Sequence, residues 1–360
     1  MKFYKAIAKP ILFRSDAEKA HNMIFQLARL AEEHEGLRKV TRFLYDYQSY
    51  YLNQSFLGLS FRNPIGIAAG FDKNGSIPHS LETIGFGFTE TGSITANPSK
   101  GNDRPRMFRL PKDYAIINRM GLNNEGAEAV VKSLSAKILK GPKGINIAKT
   151  HDTSITGIKA IEDYLTSYRI AEPIADYIML NISCPNTAEG KTFEQKQPLK
   201  DLLSAIHETR TVYSAPLLVK FSPDLTAKEL TELIDITEKF SVAGYAAVNT
   251  SSTRKGLKTS SKKLHAMGNG GLSGKPLHQK SCEVIKQIRR VIGPDKPIIG
   301  IGGVTSFQTA LEKFESGADL VQIYTGLIYE GPGLVKDINK KLVHYMKKNQ
   351  IKNIRDLRKL

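Results

Sequence analysis

Cysteine is scarce in this chain: two residues, Cys184 and Cys282, among 360. They lie far apart and without C-x-x-C spacing, so a disulfide framework is excluded, and neither a zinc nor an iron-sulfur site finds support. A reducing compartment is expected. Long apolar runs are missing too. None approaches the length that spans a bilayer, and the opening MKFYKAIAKPILFRSD has neither a continuous signal-peptide core nor a small-residue cleavage site. The expectation is a protein that is neither secreted nor integral to a membrane.

What the chain has in excess is positive charge, +17 in formal terms. Residues 251–300 carry eleven Lys or Arg against two acids, and residues 336–360 carry nine against two. Such an excess suits nucleic acid, an anionic bilayer surface or an anionic small substrate. No aromatic-interleaved basic motif accompanies it, which favours the latter two and leaves nucleic acid unexpected. The C-terminal run MKKNQIKNIRDLRKL reads as a solvated helix face.

Residues 1 to about 50 have their own pattern. Ser15 and Glu18 match a capping box, and Ala17, Ala20, His21, Ile24, Leu27, Ala28 and Ala31 recur at helical spacing. After Gly36 a second periodic stretch carries Leu37, Val40, Phe43, Leu44, Tyr47 and Tyr51, and an apolar, basic tip with Phe3, Tyr4, Ile7, Ile11, Leu12 and Phe13 precedes both. This predicts an amphipathic helical hairpin. It either lies on a membrane surface or packs against the main domain as ordinary core.

From residue 64 the pattern becomes eight short apolar runs: PIGIAAG, GFGFTETGSI, GINIAK, YIMLNIS, LLVKFSP, GYAAVNT, PIIGIGG and LVQIYTG. Helical periodicity fills most gaps, as at residues 199–212, 227–240, 276–291 and 307–314. Alternating strands and helices imply a parallel sheet, and eight strands favour closure. The predicted fold is an α/β (β/α)8 TIM barrel over residues 51–360, with the hairpin at 1–50. An open doubly wound sheet is disfavoured by the absence of G-x-G-x-x-G in the first βα turn. Two long gaps, 95–143 and 251–274, are expected to be lids or ligand contacts.

In such a barrel the strand ends converge on one face, so their residues describe the site. They are Lys73, Ser93, Asn146, Asn181, Lys220, Asn249, Gly303 and the stretch Tyr324 to Gly326. Amides, two amines and glycines predominate, and no cluster of carboxylates and histidines suggests a metal site or a glycosidase pair. Amides suit a ligand with alternating carbonyl and N–H edges, such as a pyrimidine or an isoalloxazine ring. Lys220, inside an apolar strand, is costly unless its charge is used; the bland alternative is a snorkelling lysine. GIGGV at 300–304 and YTG at 324–326 are suited to hold a phosphate through backbone N–H groups. In NISCPNT, residues 181–187, Cys184 leaves a buried strand ahead of Pro185 and between Asn181 and Asn186. It is either a reactive thiol or a small buried hydrophobe. Cys282 reads as core.

With these residues in place, the chain closely resembles the dihydroorotate dehydrogenase family, in particular its membrane-associated, quinone-dependent class 2 branch. The strings carrying the resemblance are AAGFDKNG, GNDRPRMFRL, INRMGLNN, GINIAK, NISCPNT, GGLSGKPL and PIIGIGG followed by VQIYTG. It implies FMN in the barrel mouth, its phosphate near Gly303, Tyr324 and Thr325. Ala69, Gly70, Phe71, Asp72, Lys73, Ser93, Asn146, Asn181, Lys220, Val248 and Gly274 match further flavin-contacting positions. Dihydroorotate would be held by Lys73, Asn118, Arg119, Met120, Gly121, Leu122, Asn181, Asn186, Asn249 and Thr250. The hairpin would form a quinone tunnel with His21, Arg109 and Tyr324.

In the reaction so implied, hydride passes from substrate C6 to flavin N5 while a base on the strand-four loop takes the C5 proton. Reduced flavin then passes two electrons to quinone. One residue departs from the branch: class 2 members typically carry serine as the base, soluble class 1 members cysteine, and here it is Cys184. A thiol needs less activation than a hydroxyl. Class 1, using fumarate or NAD, and a non-catalytic flavin-binding barrel are the alternatives. The resemblance further implies a monomer, peripheral on the cytoplasmic side of the inner membrane and in contact with its anionic surface.

Overall fold

The computed structural model describes residues 4–183 and 192–359. Cys184 and Asn186, together with the rest of 184–191, lie outside the described residues.

All eight apolar runs form strands of one closed parallel barrel. In chain order these are β1 Ile65–Ile67, β2 Phe88–Ile94, β3 Lys143–Ile147, β4 Tyr177–Asn181, β5 Leu217–Phe221, β6 Gly244–Ala247, β7 Ile298–Ile301 and β8 Leu320–Ile323. β8 closes the ring by pairing with β1. The strands are apolar on both faces because one face packs on the surrounding helices and the other fills the barrel. The outer layer includes Ile145, Ile178, Val219, Leu202 and Ile285. The inner one is Phe61, Phe88, Met179, Leu218, Ala246 and Ile299. Gly144 stands between Glu90 and Tyr177 in the ladder, and a Cβ there would collide with the Tyr177 ring. Its missing side chain is what admits two large polar side chains to one layer of the barrel. A two-stranded ribbon, Gln54–Phe56 and Leu59–Phe61, brings Phe61 against Phe88, with ring centroids 5.3 Å apart.

The two long gaps are not merely loops. Met107–Leu110, Ala115–Asn118 and Gly271–Gly274 pair into a three-stranded antiparallel sheet. Each strand has four residues, too few for a period-2 pattern to declare itself, and two of the partners lie about 150 residues apart.

The N-terminal annex has three helical segments: α1 Lys9–Arg14 behind a π turn at Tyr4–Ala8, then α2 Ala17–Glu33 and α3 Glu35–Tyr45. The capping box expected at Ser15 and Glu18 does not form. Asp16 caps α2 instead, its carboxylate accepting from the N–H groups of Glu18 and Lys19 at 3.0 Å. The Ser15 hydroxyl turns back to the Leu12 carbonyl. Glu18 is thereby free to reach Arg106, 2.9 Å away, in a buried ion pair that pins α2 to the strand sheet. α3 also stops at Tyr45, short of the predicted Tyr51; Tyr47 and Tyr51 instead pack beneath Lys340 and Lys347 of the C-terminal helix Leu334–Lys348.

The annex buries its apolar face only in part, at Leu12, Ala17 and Ala20. Ile7, Ile11, Met23, Leu27, Leu30, Leu37, Val40 and Leu44 are all about half exposed, and Phe43 is 85% exposed. Of the two readings of the hairpin, ordinary core fails for this face. No described helix is long and apolar enough to cross a membrane.

Candidate active site and apolar tunnel

Two cavities adjoin at the C-terminal ends of the strands. The first, about 1140 Å³ including its open mouth, is lined by Ala69, Gly70, Lys73, Ser93, Asn181, Lys220, Val248, Gly274, Gly303, Tyr324 and Thr325 of the expected flavin positions. From the expected substrate positions come Asn118, Met120, Gly121, Leu122, Asn249 and Thr250. Residues drawn from seven strand ends and from the three-stranded sheet thus converge on one space.

Four expected residues sit elsewhere. Asn146 is fully buried below the cavity floor, held by Glu90 and Ser93. Asp72 is buried and accepts from the N–H groups of Ser76 and Ile77, so it shapes the loop that presents Lys73. Arg119 reaches away to the carbonyls of Pro105, Met267 and Asn269. Phe71 faces the second cavity.

The first cavity is cationic at its core. Lys220 is 5% exposed and opposite Asn181 in the ladder. Burial lowers its pKa, and the charge of Glu90 partly restores it. Lys73 is pushed down to about 8 by burial, with Arg106 adding repulsion. Neither ammonium has a hydrogen-bond partner among the described residues, so both are available to an anionic or electron-rich ligand. The snorkelling alternative for Lys220 does not hold, because its amine is enclosed.

Sequence reasoning missed several lining residues, notably Met107, Ile116, Ser273 and Gln322. Gln322 is 1% exposed and its Oε1 has no partner among the described residues. A buried carbonyl oxygen left open in a cavity wall calls for a donor from a ligand. At the far end, the N–H groups of Gly303 and Val304 have no protein acceptor among the described residues. Gly303, at φ +74°, lies so close to the His278 backbone that any side chain would collide with it. That end is a backbone cradle that only glycine permits.

The second cavity, about 1340 Å³ with its opening, lies between the annex and the barrel and is mostly apolar: Leu12, Phe13, Ile24, Leu27, Ile77, Leu81 and Leu327 are among its walls. His21 and Arg109, two of the three expected quinone contacts, lie here. Burial, with Lys73 adding repulsion, drives His21 down to about 3, so its imidazole is neutral. Arg109 stacks over Phe13, 4.6 Å from its centroid, and donates to the carbonyls of Leu12 and Ser15, strapping α1 and α2 to the sheet. Tyr324, the third, lines the first cavity and meets Phe71 edge-on at 5.5 Å; Phe71 meets His21 at 5.3 Å. Three rings therefore bridge the two spaces.

Cys282, expected as core, is half-buried on the helix His278–Ile292, with its sulfur 3.4 Å from the amine of Lys313. It lines neither cavity.

Residues 51–346 match the dihydroorotate dehydrogenase family. Among curated relatives, a dihydroorotate dehydrogenase (quinone) of Christiangramia forsetii is 40% identical over 94% of this chain and 98% of its own. That of Rhizobium johnstonii is 39% identical over 99% and 96%. The crystal structure of DHODH from Eimeria tenella in complex with ferulenol superposes with a TM-score of 0.84 at 30% identity, covering 94% of each chain. With its barrel, its amide-lined cavity and its annex all in place, the chain belongs to the dihydroorotate dehydrogenase family, a family of flavin-dependent oxidoreductases.

Proposed function

We propose that this protein oxidises dihydroorotate to orotate in de novo pyrimidine (UMP) biosynthesis and passes the electrons through FMN to a membrane quinone. The observation that carries the reading is the pairing of a cationic, amide-lined cavity with an apolar one across Tyr324, Phe71 and His21. One space suits a planar anion, the other a lipid-soluble acceptor.

FMN fits the residues present. Its phosphate would be held by the backbone around Gly303 and Thr325 and by Tyr324, and its ring by Ala69, Gly70, Lys73, Ser93, Asn181, Lys220, Val248 and Gly274, with Gln322 Oε1 open to an N–H donor. Bound there, FMN supplies a hydride acceptor that can give up electrons one or two at a time. Lys220 offers positive charge to an electron-rich ring, and Lys73 a counter-charge to the substrate carboxylate. Asn118, Asn181, Asn249 and Thr250 supply donors and acceptors for the pyrimidine edge. The family resemblance gives Cys184 the role of the base that takes the C5 proton and Asn186 that of a further substrate contact.

Residues 1–50 form the quinone tunnel and the membrane contact, and residues 51–360 the FMN barrel. The exposed apolar residues of α1–α3, with Lys19, Arg38 and Lys39 among them, suit insertion at an anionic bilayer surface. The protein is then peripheral on the cytoplasmic side of the inner membrane, as a monomer.

The test is anaerobic absorbance of the purified protein as dihydroorotate is added, followed by reoxidation with a short-chain quinone or with fumarate. Bleaching of a flavin band and recovery by quinone alone is the expected result. Recovery by fumarate would support the class 1 reading that Cys184 favours, and no bleaching would refute the substrate.

A further inference from the structure

Glu90 is the one charged side chain on the inner face of β2, buried to 1% exposure in the layer above Phe88. The family resemblance assigns it no part, and it lines neither cavity. Every polar group around it nevertheless points its donor inward. Oε1 accepts from Asn146 Nδ2 at 2.9 Å, and Oε2 accepts from Gln322 Nε2 at 2.7 Å and from the Tyr177 hydroxyl at 3.1 Å. Tyr177 keeps its proton, since burial and the neighbouring carboxylate push it far above the usual phenol range.

The consequence runs outward through a chain of single-direction hydrogen bonds. Because Asn146 turns its NH2 to Glu90, its Oδ1 faces Ser93, whose hydroxyl must donate to it. Ser93 Oγ therefore presents a lone pair, and Asn181 Nδ2 donates to it at 2.9 Å. That turns Asn181 Oδ1 toward Asn249, whose Nδ2 donates to it at 3.0 Å. On the other side, the Gln322 NH2 is spent on Glu90, and this is why its Oε1 is the atom left open. A carboxamide in isolation can sit either way round at little cost, since its oxygen and nitrogen have nearly the same shape. A carboxylate cannot: it only accepts, so a flipped Asn146 or Gln322 would set oxygen against oxygen in a buried space.

We propose that Glu90 is a positioning residue whose carboxylate sets the donor and acceptor direction of Asn146, Ser93, Asn181, Asn249 and Gln322, and so the pattern that a planar ligand meets in the cavity. The inference rests on the function proposed above for the identity of that ligand. Lys220 supplies the compensating charge from the cavity side, which lets a lone carboxylate stay in the barrel interior.

The test is a double-mutant cycle on the FMN-loaded protein with Glu90→Gln and Ser93→Ala. Glutamine keeps the shape but has one oxygen for two sites, so either Asn146 or Gln322 must reverse. Orotate affinity, read from the perturbation of the flavin spectrum, is expected to fall about tenfold or more in Glu90→Gln, as for a ligand facing a mispaired buried group. Among the described residues Ser93 is the one hydrogen-bonded link between Asn146 and Asn181, so Ser93→Ala is expected to weaken orotate as well, and the double variant by less than the product of the two losses, any loss beyond that of Ser93→Ala coming from the Gln322 branch. Wild-type affinity in Glu90→Gln would overturn the proposal, and fully additive losses in the double variant would overturn the relay through Asn146, Ser93 and Asn181.

If Glu90→Gln does not fold, Ser93→Ala buries no charge and decides alone, since wild-type orotate affinity there would sink the relay. A wild-type protein whose flavin spectrum ignores orotate refutes the ligand and not Glu90. The same cycle is then read on FMN affinity, where an additive outcome overturns the relay through Ser93 and a non-additive loss supports it.

Discussion

The two cavities are neighbours built on opposite principles. The barrel-mouth cavity concentrates charge and directed hydrogen bonds in a buried space, where each is worth more than in water and more costly if left unmatched. The tunnel beside it offers shape and apolar surface, a strapped arginine and a histidine that burial keeps neutral. The first arrangement demands one ligand in one pose. The second tolerates an occupant that slides, which is what a lipid-borne acceptor needs. On the function proposed above, chemistry and delivery are assigned to different solvents within one chain.

The sharpest break in this comparison is at the proposed base. Cys184→Ala is expected to slow flavin reduction by dihydroorotate about a thousandfold while FMN stays bound and the tunnel is untouched. Stopped-flow bleaching checks this, and normal bleaching would remove Cys184 from the mechanism. Removing residues 1–40 is the converse experiment. Quinone turnover and vesicle binding should be lost while reduction by dihydroorotate persists; loss of both half-reactions would make the annex a structural support of the barrel.

A gentler probe is Phe43→Glu, at an exposed position that touches neither cavity. It should weaken sedimentation with anionic vesicles about tenfold, since burying a phenylalanine is worth about 1.5–3 kcal/mol, and leave turnover with a water-soluble quinone unchanged. Smallest is the effect of pH. The protonated form of Lys73 is the one that pairs with a carboxylate, so orotate affinity should decline as pH rises through about 8, by no more than about tenfold per pH unit. The quinone half-reaction should show no step from His21 across the neutral range, because its pKa of about 3 lies well below it.

The barrel was legible because its signal is redundant. Eight apolar runs, most of them separated by a helical period, over-determine a closed parallel sheet, and the strand-end amides and lysines follow from topology alone. The exceptions share a cause: each depends on a partner that the local pattern does not contain. Asp16 rather than Ser15 caps α2 because Glu18 is drawn to Arg106, 88 residues away. The strands around Phe108, Ile117 and Leu272 exist only through one another. Glu90 sits in FTETGSI, where alternation marks it as one polar residue among several, and its donors come from β3, β4 and β8. Whether α1–α3 bury or expose their apolar stripe likewise depends on how much barrel surface is there to receive them.

The ring bridge of His21, Phe71 and Tyr324 has a kinetic corollary. Among the described residues the two cavities share Met107 and Ile116 alone as common walls, with Phe71 and Tyr324 standing between them. On the function proposed above, an oxidant in the tunnel would not block the departure of product, nor would a slow product bar the oxidant. Each half-cycle has its own door, so steady-state rates should give parallel double-reciprocal plots, and an inhibitor lodged in the tunnel should compete with the acceptor and never with the donor.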